Sequence, residues 1–108
     1  MNNPLLSLLG LCRRANKLSI GFDPVMSSLR HKKSKLVLFS SDLSQNTVKK
    51  IINTCIDFNI NYKNIPFSMD EIGNALGKKV GVMSIEDAGF AKKISSVCSV
   101  LCEEEIII

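Results

Sequence analysis

Residues 35–44 read Lys35-Leu36-Val37-Leu38-Phe39-Ser40-Ser41-Asp42-Leu43-Ser44. Four apolar residues in a row, with no polar alternation, suit a strand whose sheet is covered on both faces. The charged stretch Arg30-His31-Lys32-Lys33 precedes the run, and hydroxyl and carboxylate side chains close it. Its length is therefore that of a strand and not of a buried helix. A central strand of this kind belongs to a sheet with helices on either side.

The flanking segments fit that frame. Downstream, Asp42 and Ser44 offer a cap for a helix whose Val48, Ile51, Ile52 and Cys55 recur at helical spacing. Ile65-Pro66-Phe67 reads as a short strand, its proline favouring an edge or a strand end. Ser68-Met69-Asp70-Glu71 fits a capping box, opening a helix through Ile72 and Leu76 to Gly77. Val80 to Ile85 is a fourth strand, and Asp87 to about Val97 a fifth helix with Phe90 and Ile94 inward. Glu103 to Ile108 takes no assignment. Upstream, Asp23-Pro24 predicts a helix start, with aspartate as the N-cap and proline at the first helical position. Val25, Met26 and Leu29 would face the core from that helix. Gly21 is a turn residue after the short strand Leu18-Ser19-Ile20. Leu5, Leu8, Leu9 and Cys12 place a first amphipathic helix between Pro4 and about Asn16. Helix and strand alternate throughout, which predicts a three-layer α/β/α sandwich around a central four-stranded mixed sheet.

The 108 residues suit one domain spanning 1–108. The longest near-apolar stretch, Pro4 to Cys12, is about half the ~20 residues a membrane helix needs. Arg13 and Arg14 follow that stretch instead of preceding it, unlike a secretory signal, so a cytoplasmic protein is expected. Residues 1–54 carry nine Lys or Arg against Asp23 and Asp42, whereas residues 55–108 carry five Lys against eight Asp or Glu. A basic half suggests a polyanionic partner, because phosphate neutralisation gives affinity independent of sequence. Solvated lysines alone would produce the same composition.

Cys12, Cys55, Cys98 and Cys102 form no Cys-x-x-Cys pair, and His31 sits among lysines, so no metal site is expected. Cys12 and Cys55 fall within apolar stripes and read as small core residues. Gly77-Lys78 lacks the spacing of a nucleotide-binding loop, and no nucleophile elbow or metalloprotease helix is present. Asp70-Glu71 at a helix start is explained by capping and the helix dipole. Neither an enzyme nor a cofactor is expected.

Several strings together resemble one family. They are Leu9-Gly10-Leu11-Cys12-Arg13-Arg14-Ala15-Asn16-Lys17-Leu18, Ile20-Gly21-Phe22-Asp23-Pro24-Val25, and Lys35 to Asp42. Asn46-Thr47 with Lys49-Lys50, Ile72-Gly73-Asn74-Ala75-Leu76-Gly77, and Gly89-Phe90-Ala91-Lys92-Lys93-Ile94 extend the match. Over about residues 5–96 the chain resembles the bacterial, YlxQ-type branch of the ribosomal protein L-seven-Ae family. That resemblance implies an α/β/α sandwich binding kink-turn or kink-loop RNA, in ribosomes and other ribonucleoproteins. It implies RNA contacts at Gly21, Phe22, Asp23, Pro24 and Ser27, and a second loop, Gly77-Lys78-Lys79-Val80, packing an apolar side chain near a flipped-out nucleotide. A helix N-terminus suits an anionic ligand, and lysines around it would hold phosphates.

The strongest kink-turn binders carry Asn-Glu where this chain has Asp23-Pro24, and Lys where it has Ser27. Two functions follow. The first is a ribosome-associated, monomeric RNA-binding protein that docks through Lys17, Arg30, Lys32, Lys33 and Lys35 and reads irregular RNA at Gly21–Ser27; uniform A-form duplex hides its base edges. The second is a protein-interaction module of the same fold that has lost strong kink-turn recognition, consistent with the acidic C-terminal half and the tail Ile106-Ile107-Ile108.

Overall fold

The computed structural model describes residues 3–101. Asn3 accepts the backbone N–H groups of Leu5 and Leu6, which opens α1 (Pro4–Arg14) with proline at its first position. The helix ends in a Schellman pattern: Asn16 turns left-handed at φ 62°, and Lys17 N–H reaches back to the Cys12 carbonyl at 3.0 Å. The expected terminator at Asn16 is thus in place. The chain continues through β1 (Leu18–Ile20), α2 (Phe22–Arg30), β2 (Leu36–Phe39), α3 (Gln45–Asp57) and β3 (Tyr62–Asn64). It ends with α4 (Met69–Leu76), β4 (Val82–Ile85) and α5 (Ala88–Leu101). The tail from Glu103 lies outside the described residues.

The sheet runs β1-β4-β2-β3, antiparallel at the first two pairings and parallel between β2 and β3, so it is mixed as expected. Its two inner strands are buried at every residue. Leu36, Leu38, Met83 and Ile85 face α1, α4 and α5 in one core, with Leu5, Leu9, Ile72 and Ile94. Val37, Phe39 and Val82 face α2 and α3 in the other, with Val25, Leu29, Ile51 and Cys55. That makes the three-layer sandwich. Ser84 also points to the second layer, where its hydroxyl joins Ser28 at 3.0 Å and Ser34 at 2.8 Å. These buried hydroxyls satisfy one another and tie the turn after α2 to the sheet.

Two helix starts match the sequence reading in detail. Ser44 caps α3, and Ser68 and Glu71 form the complete capping box of α4. Asp42 does not cap α3; its carboxylate accepts the Met69 N–H at the start of α4 instead, at 3.0 Å.

Three local expectations are corrected. The cap of α2 is Gly21, so Asp23 and Pro24 occupy the second and third helical positions. Proline is tolerated there because the first-turn amides have no acceptor within the helix. The third strand covers 62–64 and not 65–67: Tyr62, Lys63 and Asn64 pair with Val37, Leu38 and Phe39, and Pro66 has no N–H with which to extend the ladder. The fourth strand starts at Val82, two residues later than expected.

Candidate nucleic-acid interface

β1 hands over to α2 through one residue. Gly21 N–H donates to the Val82 carbonyl at 3.0 Å, and the Gly21 carbonyl accepts from Val25 N–H at 3.0 Å. The residue closes a sheet ladder and opens a helix at once. It does so at φ 106° and ψ 161°, a conformation essentially restricted to glycine. No side chain caps α2. The Phe22 and Asp23 amides therefore have no partner within the helix, and Pro24 contributes none. Phe22 packs on the second core, while Asp23, Pro24 and Ser27 are exposed. Asp23 and Ser27 are four residues apart, so with Pro24 they form one exposed strip.

The loop after α4 returns to the same end of the sheet. Gly77 turns left-handed at φ 84°, Arg13 donates to the Leu76 carbonyl, and Lys78-Lys79 fold back along the helix. The approach is close: a Cβ on Gly73 would lie 3.0 Å from the Lys79 Cα. Lys79 and Asp70 pair at 3.6 Å, both well exposed, a contact worth little in water. The Gly81 carbonyl accepts Ser40 N–H at 2.9 Å, beside the bond from Gly21 to Val82.

Val80 is 1% exposed and belongs to the first core, so it cannot present its side chain to a nucleotide. Leu43 and Met69 flank Gly81 and are half-buried, as is Phe22 at the same end of the sheet. Sequence reasoning missed both. The one available signal was that each precedes or opens a helix near a capping residue. Asp42 joins these loops. Desolvation pushes its carboxyl up, but the neighbouring Ser40 hydroxyl, the Met69 amide, its own amide and the Lys79 cation outweigh this and hold it below its ordinary value.

The expected basic residues divide between two places. Lys79, beside Asp70 and Asp42, lies on the loop that returns to the Gly21 end, with Lys78 before it against Gly73. Lys17 lies elsewhere: its carbonyl accepts Glu86 N–H at 2.8 Å, while Lys35 N–H donates to the Ile85 carbonyl at 2.7 Å. Lys17 and Lys35 thus mark the far end of the sheet. Four residues of strand, at ~3.3 Å each, separate that end from Gly21 by about 13 Å. Arg30 lies in the last turn of α2, and Lys32 (φ 61°) and Lys33 follow it toward the same far end. The expected basic residues of the N-terminal half therefore gather at the far end, apart from Lys79.

Burial pushes the Cys12 thiol up to about 11, helped by Asp87 and Glu86, and burial alone does the same for Cys55. Neither is a thiolate nucleophile at neutral pH. Iodoacetamide at pH 8 should leave both unlabelled in the native protein and label both in denaturant; native labelling of either, read by peptide mass, would contradict their placement. Among the described residues, no three His, Cys, Asp or Glu side chains gather as metal ligands.

Over residues 4–95 the chain matches the ribosomal protein L7Ae/L30e/S12e/Gadd45 family. It is 38% identical over 95 residues to the RNA-binding protein YlxQ of Bacillus subtilis (strain 168), covering 83% of this chain and 90% of that protein. It is 37% identical over 92 residues to the RNA-binding protein YlxQ of Enterococcus faecium, covering 82% and 84%. A solved protein of unknown function from Bacillus halodurans C is 32% identical with a TM-score of 0.85, over 91% of this chain and 99% of that one. The Giardia lamblia 15.5kD RNA binding protein has a TM-score of 0.69 over 93% and 89%, at 17% identity, a likeness of fold alone.

Proposed function

The chain belongs to the ribosomal protein L7Ae/L30e/S12e/Gadd45 family, and on that premise we propose that it is a non-catalytic protein that binds structured RNA. Its RNA is kinked or irregular, of the kink-turn or kink-loop kind, and the protein acts as a monomer on ribosomal or other ribonucleoprotein RNA in the cytoplasm. One observation carries this reading: Gly21 leaves α2 without a side-chain cap at an exposed sheet end, beside the loop bearing Lys78 and Lys79. Amide donors and helix dipole there favour an anion, and the exposed strip of Asp23, Pro24 and Ser27 meets splayed bases. The relatives named RNA-binding proteins in Bacillus and Enterococcus support it.

Pro24 removes one amide from that turn, which favours the second reading, a protein-interaction module. A titration separates the two. The protein is expected to prefer a kink-turn RNA over a straight duplex of equal length. If about four phosphates are neutralised, log affinity should fall against log salt with a slope of roughly −3 to −4. Equal, salt-indifferent binding to both would sink the RNA reading in favour of the protein partner.

A further inference from the structure

We propose that the end of the sheet remote from Gly21 is a second RNA-binding surface, where Lys17, Lys33, Lys35 and Lys92 hold backbone phosphates. The proposal extends RNA binding at Gly21 and rests on that reading. Lys35 stands between two shallow hollows. One, of about 420 Å³, it shares with Lys17 and Lys33; the other, of about 330 Å³, with Lys92, Asn61 and Ser95. Lys92 is far from the other three in sequence, and α5 brings it to them.

The surface is built, not incidental. Buried Ser34 separates exposed Lys33 from exposed Lys35, and its hydroxyl is anchored to Ser84, which also holds Ser28. Lys33 N–H is fixed on the Ser28 carbonyl at 2.9 Å, and Lys35 N–H on Ile85. The backbone under both cations is therefore held by buried bonds. Among the described residues none of the four ammonium groups has a carboxylate within ion-pair distance, and the one ion pair is Lys79 with Asp70. Glu86 also lines the first hollow; its carboxylate accepts the Ser19 hydroxyl at 2.6 Å and keeps its charge, so three cations there face one anion. The four lysines outnumber that carboxylate and repel one another, and a polyanion relieves the excess positive charge.

The lining chooses the partner. Beside the lysines it offers Asn16, Asn61, Ser95 and Ser96, side chains that donate to phosphate oxygens, while Leu36 and Ala91 are buried. An interface with a protein would want an apolar or aromatic anchor at its centre, and none of the residues lining the two hollows is an exposed one; Tyr62, next to Asn61, stacks on Phe39 on the other face of the sheet. With about 13 Å between the two ends, one RNA segment sits at Gly21 and another is held at the lysines.

The test uses the full chain, a kink-turn RNA with an extended stem and a plain RNA duplex of equal length. Lys33→Ala, Lys35→Ala and Lys92→Ala are combined in one variant. Lys49→Ala and Lys50→Ala form the control, two charge changes on the exposed face of α3, away from both hollows. The first variant should flatten the salt slope by about 2 to 3 on both RNAs while keeping its preference for the kink-turn. The control should keep the slope. An unchanged slope in the first variant overturns the proposal, and so does equal flattening in the control. Failure of the Gly21 reading shows differently, as a wild type without preference between the two RNAs.

Discussion

Gly21→Val should unfold at a temperature lower by roughly 5–20 °C and lose its preference for a kink-turn over a duplex. The reason is backbone conformation, not space. A Cβ at this position would meet Pro24 Cδ at 3.5 Å, an ordinary contact. The obstacle is φ 106° with ψ 161°, which side-chain-bearing residues essentially do not adopt. Holding one there costs on the order of 1–3 kcal/mol, and 1 kcal/mol is about 4–8 °C for a domain near this size. Relief requires rotating the peptide that donates to Val82 and the carbonyl that receives Val25. Either movement displaces the start of α2. Gly10→Ala is the control: it sits in α1 with nothing within 4 Å of the added methyl, and should be stabilising by about 0.5–1 kcal/mol. A Gly21→Val protein that melts within a degree of wild type would remove the case for glycine as the hinge of this site.

The combined variant Asp23→Asn, Pro24→Glu and Ser27→Lys should bind a standard kink-turn at least about tenfold more tightly than wild type. These changes install the residue types of the strong kink-turn binders on the exposed strip at the start of α2. Position 24 is the third residue of that helix, where glutamate suits the dipole. Replacing proline also returns an amide donor to the first turn. Asparagine at 23 removes an exposed carboxylate that would face phosphates, and since Asp23 does not cap the helix, no capping bond is lost. Lysine at 27 gives up the Ser27 hydroxyl contact with His31 Nδ1, an exposed one at 3.3 Å, and supplies a cation. A good side-chain contact to a base is worth roughly 1–3 kcal/mol in DNA complexes, and about 1.4 kcal/mol is a factor of ten. The comparison is a titration of both proteins at fixed salt against the kink-turn and a straight duplex. A normally folded variant with no gain for the kink-turn over the duplex would move the site off this strip.

What the chain announces by itself is local and periodic. Leu36-Val37-Leu38-Phe39 could be read as a strand covered on both faces because burial on two sides requires an unbroken apolar run, and all four are buried. Ser68 and Glu71 could be read as a capping box because both partners lie within one turn. Cys12 and Cys55 could be placed in cores from helical spacing alone. The start of α2 was harder. Asp23-Pro24 is a good start signal, but the turn is made two residues earlier, where a ladder bond to Val82 holds Gly21 in its special conformation. Tyr62-Lys63-Asn64 has no apolar pattern; it is a strand only because β2 pairs with it.

The candidate site divides in the same way. Gly21 was legible as a turn because a strand, a glycine and a helix follow in direct succession, while its part in RNA contact came from the family resemblance. Val80 was given to the second loop by the family resemblance, but the chain folds back along α4 and buries it in the first core. Lys17 and Arg30 to Lys35 were expected to dock the RNA that Gly21–Ser27 reads, from the charge of the N-terminal half. One helix, α2, however, carries the chain from the Gly21 end of the sheet to the far end, and Lys92 reaches that end from α5. The sequence by itself determined the layers, the inner strand and most helix ends, because these depend on burial and bonds between near neighbours. Only the tertiary structure decided the register of β3, the burial of Val80 and the parting of the charges, because each depends on bonds between residues distant along the chain.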